Sequence, residues 1–139
     1  MIVSRALRNC NPGNIRLGVS KFKGEVTPSR DDEFKEFEAP KWGYRAMFII
    51  IHNYGVLYGI DTLNRIIGRW APPSENDTND YISVVARRLG VGCKAHINSR
   101  DHDTMVALVG AMAWIESGSR AVNQEIEDGW ELFAESFSD

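Results

Sequence analysis

Glu116 is the residue of this 139-residue chain whose setting points most directly to acid–base chemistry. It is the first charge after TMVALVGAMAWI, a run from Thr104 to Ile115 that leaves no polar face at helical spacing. A helix apolar all round is a buried helix. A carboxyl group in the last turn of such a helix faces the negative end of the helix dipole, and burial beside Trp114 and Ile115 further disfavours its charged form. Both effects raise its pKa. A carboxylic acid still protonated near neutral pH is the group needed to protonate a leaving-group oxygen, as in cleavage of a glycosidic bond. The plainer alternative is a solvated last-turn glutamate that happens to follow an apolar stretch.

Other chemistry finds less support. Cys10 and Cys93 are far apart, and His52, His96 and His102 lack an i, i+4 partner or a neighbouring cysteine, so neither a disulfide framework nor a metal centre is expected. Asp101, His102 and Asp103 are better placed to cap a helix before Thr104 than to hold a cation. No cofactor is implied. The net charge of −3 disfavours a nucleic-acid partner, although Arg87, Arg88 and Lys94 cluster locally.

The elements that must position Glu116 can be read from the pattern. The length suits a single domain over 1–139, with a small extended lobe over 1–40 and a helical body over 41–139. In the lobe, Asn9, Asn11, Pro12, Gly13 and Asn14 force a sharp turn, and Phe22–Val26 and Phe34–Phe37 have the content of short strands. The carboxylates Glu25, Asp31, Asp32 and Glu33 are expected mostly at the solvated surface. Apolar periodicity predicts a helix from Tyr44 to Tyr58 stopped by Gly59, then one capped by Asp61 and buried through Leu63, Ile66, Ile67 and Trp70. WAPPSENDT is a rigid connection offering Asn76 or Asp77 as a cap for a helix ending at Gly90. The central buried helix follows, too short and too broken by glycine to span a bilayer, and an amphipathic helix through Val122, Ile126, Trp130 and Phe133 closes the chain. The fold class is α+β, mainly α, with a cleft expected between lobe and body.

Several segments together resemble one family. RNCNPGNIRLG, FKGE, DDEFKEF, WGYRAMF, WAPPSENDTNDYI and IESG are similar to small phage and prophage proteins described as virion structural proteins or lysozyme-like cell-wall hydrolases. A second likeness is to lysozyme-like glucosaminidases and lytic transglycosylases. There a helix ending in a Glu-Ser-Gly type motif precedes an asparagine-led turn and an aromatic stretch. Here AWIESG lies near the other end, so the order is circularly permuted. Chain termini often lie close together, which allows this.

The resemblance implies a lysozyme-like fold, peptidoglycan glycan strands as substrate, and Glu116 as general acid. A second carboxylate, Glu25 or Asp31, would suit a covalent route at about 5 Å and a water-mediated one at about 6.5–9.5 Å. Without one, Glu116 acts as acid and then base while the sugar's own hydroxyl attacks. Tyr44, Tyr54, Trp70, Asn76 and Tyr81 are candidates for holding the glycan, because aromatic faces stack on sugar rings and amides bond acetamido groups. The rival expectation is a non-catalytic virion component that keeps the fold, with other virion components as partners. The N-terminus lacks the apolar core of a secretory signal, so synthesis in the bacterial cytoplasm is expected, with action at the wall or within a phage particle.

Overall fold

The apolar positions between Tyr44 and Tyr58 fold as the longest helix described, but it begins earlier than their spacing predicts. In the computed structural model, which describes residues 3–136, α2 spans Pro40–Tyr58. Proline at the first helical position gives up an N–H that has no intrahelical partner there, and its fixed φ suits the helix, so the start moves ahead of the aromatic run. Gly59 ends α2 at φ +66°, a left-handed conformation that favours glycine.

The next helix, α3 (Leu63–Trp70), is capped at Thr62 and not at Asp61. The reason is visible in the hydrogen bonds. Leu63 and Asn64 donate their first-turn amides to the carbonyls of Ala95 and Cys93, so no side-chain acceptor is needed. Asp61 instead lies 3.2 Å from His96, and its carbonyl accepts from Ile97. Then α4 (Thr78–Leu89) is capped at its start by Asp77, whose carboxylate accepts from the Asp80 amide, and at its end by Gly90. The central helix α5 (His102–Ser117) is capped by Asp101 and stopped by Gly118, and α6 (Asn123–Glu135) follows.

One hydrophobic cluster joins these helices. Phe48 and Ile51 of α2, Leu63 and Ile67 of α3, Val85 of α4, Leu108 and Met112 of α5, and Phe133 of α6 are among its fully buried members. α5 packs against both α4 and α6, while α2 lies along α6 with Gly129 against Tyr44. The expectation that α5 is buried on every side is corrected at two places. Ala107 is exposed and Trp114 is 38 % exposed, because neither α4 nor α6 covers that stripe of the helix.

The N-terminal lobe has little apolar mass and is held by polar contacts. A single turn, α1 (Arg5–Arg8), precedes the asparagine-rich bend, and β1 (Glu25–Val26) pairs antiparallel with β2 (Glu36–Phe37), Glu25 opposite Phe37. Asn11, fully buried, donates to the carbonyls of Ile15 and Lys35 and accepts from the Ile15 amide. Here the expectation of solvated carboxylates holds for Asp32 and Glu33 but fails for Asp31 and Glu25. The Asp31 side chain is buried against Arg5 at 2.6 Å, and Glu25 is buried against Lys35 at 3.0 Å. A lobe too small for its own hydrophobic core is tied together by paired charges, which are buried only when matched.

The described chain is thus an α+β structure dominated by helices. Among the described residues no helix is long and apolar enough to cross a membrane, and both cysteines are free thiols.

Candidate functional site

Where the lobe meets the helical body there is an open groove of about 370 Å³. The asparagine-rich turn supplies one wall through Asn14, Ile15 and Arg16, joined by Phe34. Tyr54 of α2, Trp70 at the end of α3 and Asn76 in the proline-rich connection supply the other. Glu116, in the last turn of α5, also lines it.

Glu116 is held from three sides. The Tyr81 hydroxyl donates to Oε2 at 3.0 Å, and the Asn14 amide donates to Oε1 at 3.3 Å and to the Glu116 carbonyl at 3.1 Å. The Trp70 indole N–H donates to the same carboxyl. These donors, with the nearby Arg16 guanidinium, favour the ionised form, whereas burial favours the acid. Burial is the larger effect, and the Glu116 pKa lies above the ordinary carboxyl value. Burial, with the adjacent Glu116 adding to it, also pushes the Tyr81 phenol far up, so Tyr81 remains a neutral donor. The three donors occupy three of the four lone-pair positions on the two carboxyl oxygens, which leaves one for the acid proton.

Asn14 reaches this position from a left-handed backbone, φ +50°. Asparagine tolerates that region better than most residues with a Cβ. The preceding Gly13 lets the turn press onto the body: a Cβ there would stand 2.7 Å from Trp70 and 2.9 Å from Met47.

Of the residues singled out from the sequence, Glu116, Tyr54, Trp70 and Asn76 line the groove, and Tyr81 touches Glu116 from beneath it. Asn76 also donates to the Pro72 carbonyl. Tyr44 does not join them. It is 3 % exposed and packed under α6, so its ring has no face free for a sugar. Glu25 and Asp31 are likewise not brought to the groove. Each is consumed by an ion pair within the lobe, and the hydrogen bonds from Arg5 hold Asp31 well below the usual carboxylate range. Glu75 is the second glutamate lining the groove, 3.8 Å from Arg16.

Asn14, Arg16, Phe34, Arg69 and Glu75 are among the lining residues that reasoning from residue types missed. Only the asparagine-led turn carried a signal for them. Among the described residues no group of histidine, cysteine, aspartate or glutamate is arranged to hold a metal ion.

No protein-family model matches the chain. A curated relative does: Protein P5 of Pseudoalteromonas phage PM2 is 39 % identical over 132 residues, covering 92 % of this chain and 81 % of the phage protein. The chain belongs to the Protein P5 family. The match runs through both the lobe and the helical body, so the phage kinship expected from the sequence segments extends to Protein P5 along nearly the whole chain.

Proposed function

We propose that this chain is a component of a phage particle and that its groove grips a glycan strand of the bacterial wall and cleaves it, with Glu116 as the general acid. Kinship with Protein P5 supports the first half and is silent on cleavage. One observation carries the second half: a carboxyl with a raised pKa, fixed by Tyr81, Asn14 and Trp70, stands in an open groove bordered by aromatic rings. On this reading the lysozyme-like arrangement is circularly permuted, its acid contributed by α5 and its asparagine-led turn by the start of the chain.

The chemistry follows from the contacts. Glu116 protonates the glycosidic oxygen as the bond to the anomeric carbon breaks, and its new negative charge is received by the three donors already in place. With Glu25 and Asp31 engaged elsewhere and Glu75 held beside Arg16, Glu116 then takes the proton from the attacking hydroxyl, either the sugar's own or that of water. Tyr54, Phe34 and Trp70 offer apolar ring surface to the sugars, and the Asn76 side chain offers an amide for an acetamido group.

A non-catalytic virion component is the second reading. The phage kinship fits it at least as well, and the loss of Glu25 and Asp31 as partner carboxylates favours it. Incubating the purified protein and Glu116→Gln with isolated peptidoglycan, followed by mass spectrometry of soluble fragments, separates the two. Under the catalytic reading only the wild type releases fragments efficiently, with Glu116→Gln reduced by about 100-fold or more. An anhydro end identifies attack by the sugar hydroxyl and a reducing end attack by water. No release by either protein from walls of several hosts assigns the chain to the non-catalytic role.

A further inference from the structure

Trp114 stands two residues before Glu116, which turns it about 200° away around the helix. It faces a second groove of about 340 Å³, bounded by α4, α5 and the start of α6. The floor is formed by small residues of α5, Ala107 and Gly110 among them, and the rim carries Arg88 and Arg120. The Arg88 guanidinium lies 3.8 Å from the centroid of the Trp114 ring, and that of Arg120 lies 6.0 Å away. A guanidinium stacked at that distance keeps its N–H donors at its edge, pointing past the ring.

Those donors have no carboxylate to meet. Arg5, Arg8, Arg16 and Arg30 each hold an aspartate or glutamate, but among the described residues no carboxylate lies within ion-pair distance of Arg88 or Arg120. The acid in the first turn of α6, Glu125, acts on Cys10 and Tyr44 instead. Val122, at the N-cap of α6, offers no side chain to cap the helix amides, which adds to the positive potential at this end of the groove. A chain with net charge −3 therefore carries a local cationic clamp around an exposed indole.

We propose that this groove docks an acidic, extended segment of a partner protein. Carboxylates of the segment pair with Arg88 and Arg120, and a small apolar side chain between them lies on the α5 floor beside Trp114. Charge complementarity selects the acidic partner, and the shallow floor of small residues selects an extended segment over a bulky one. A nucleic acid is disfavoured because a phosphate backbone needs a row of cations, whereas two arginines converge here. The proposal does not rest on the chemistry of Glu116.

The test is fluorescence anisotropy at low salt with a labelled peptide of alternating glutamate and alanine. The wild type binds it, and Arg88→Gln combined with Arg120→Gln weakens binding by about tenfold or more. Trp114→Leu, which removes the platform but keeps both charges, weakens it about threefold. Arg87→Gln, a neighbouring exposed arginine outside the groove, leaves binding unchanged. All these side chains are exposed, and matching thermal melts verify that each variant folds. The proposal is overturned by absence of wild-type binding, by equal loss from Arg87→Gln, by equal binding of a glutamine–alanine peptide, or by tighter binding of duplex DNA abolished by the same arginine substitutions.

Discussion

Three donors aimed at one carboxyl would ordinarily make it a stronger acid, yet Glu116 is a weaker one because burial outweighs them. Removing a single donor therefore moves it further in the same direction. Asn14→Gly is the clean variant, since glycine accepts the positive φ at this position without strain while alanine adds a backbone penalty. Its expected effect is an upward move of the Glu116 titration and of the alkaline limb of any glycan-cleavage profile, followed by NMR of the carboxyl carbon and by rate against pH. Stability gives a second readout. A carboxyl whose folded pKa is raised leaves the fold unpenalised below its unfolded value, and the penalty grows as pH rises from there through the folded value. Glu116→Gln should accordingly gain melting temperature over the wild type at pH 7 relative to the difference at pH 4. An equal difference at both pH values would show that the carboxyl is not desolvated.

At the scale of elements, what was legible in the sequence and what was not divide along contact distance. The helices of the body were readable because their apolar residues repeat locally, and Gly59, Gly90 and Gly118 mark their ends through left-handed caps. The start of α3 was misplaced because its amides are satisfied by residues 93 and 95, a long-range pairing with no local trace. Burial of Glu25 and Asp31 was hidden for the same reason, since their partners Lys35 and Arg5 are 10 and 26 residues away. Glycines inside helices were equally opaque, and they make a paired prediction. In α3 a Cβ at Gly68 meets nothing within 4 Å, so Gly68→Ala should stabilise by about 1 kcal/mol through helix propensity. In α6 a Cβ at Gly129 would stand 2.6 Å from the Tyr44 Cβ and 3.1 Å from backbone atoms of α2. Overpacking of roughly 1–3 kcal/mol there exceeds the propensity gain, and Gly129→Ala should lower stability. Urea denaturation of the two variants checks the opposite signs.

For the whole molecule, the groove exists only while the lobe sits on the body, because Asn14 and Glu116 are separated by 102 residues and meet across that boundary. Composition and periodicity contain no sign of this meeting; the order of family-like segments, with AWIESG at the far end from NPGNIR, was its one trace in the sequence. The boundary is made close by glycine. A Cβ on Gly43 of α2 would approach the Cys10 carbonyl oxygen to 2.5 Å and the Pro12 ring to 2.6 Å, both parts of the bend that carries Asn14. Helix propensity alone favours alanine at this position by about 1 kcal/mol, but neither the carbonyl nor the proline ring can rotate away as a flexible side chain would. Gly43→Ala should thus displace the bend from α2 while the packing among α3, α4 and α5 persists. The expected result is near-native helical circular dichroism, weaker Asn14–Glu116 contact seen as a raised Glu116 titration, and loss of whatever activity or glycan binding the groove supports. Hydrogen exchange that quickens at Asn11, Asn14 and Lys35, whose amides are bonded within the lobe or to its bend, and is unchanged at α5 would locate the disturbance at the boundary. Quickening throughout α5 as well would mean that lobe and body unfold as one unit.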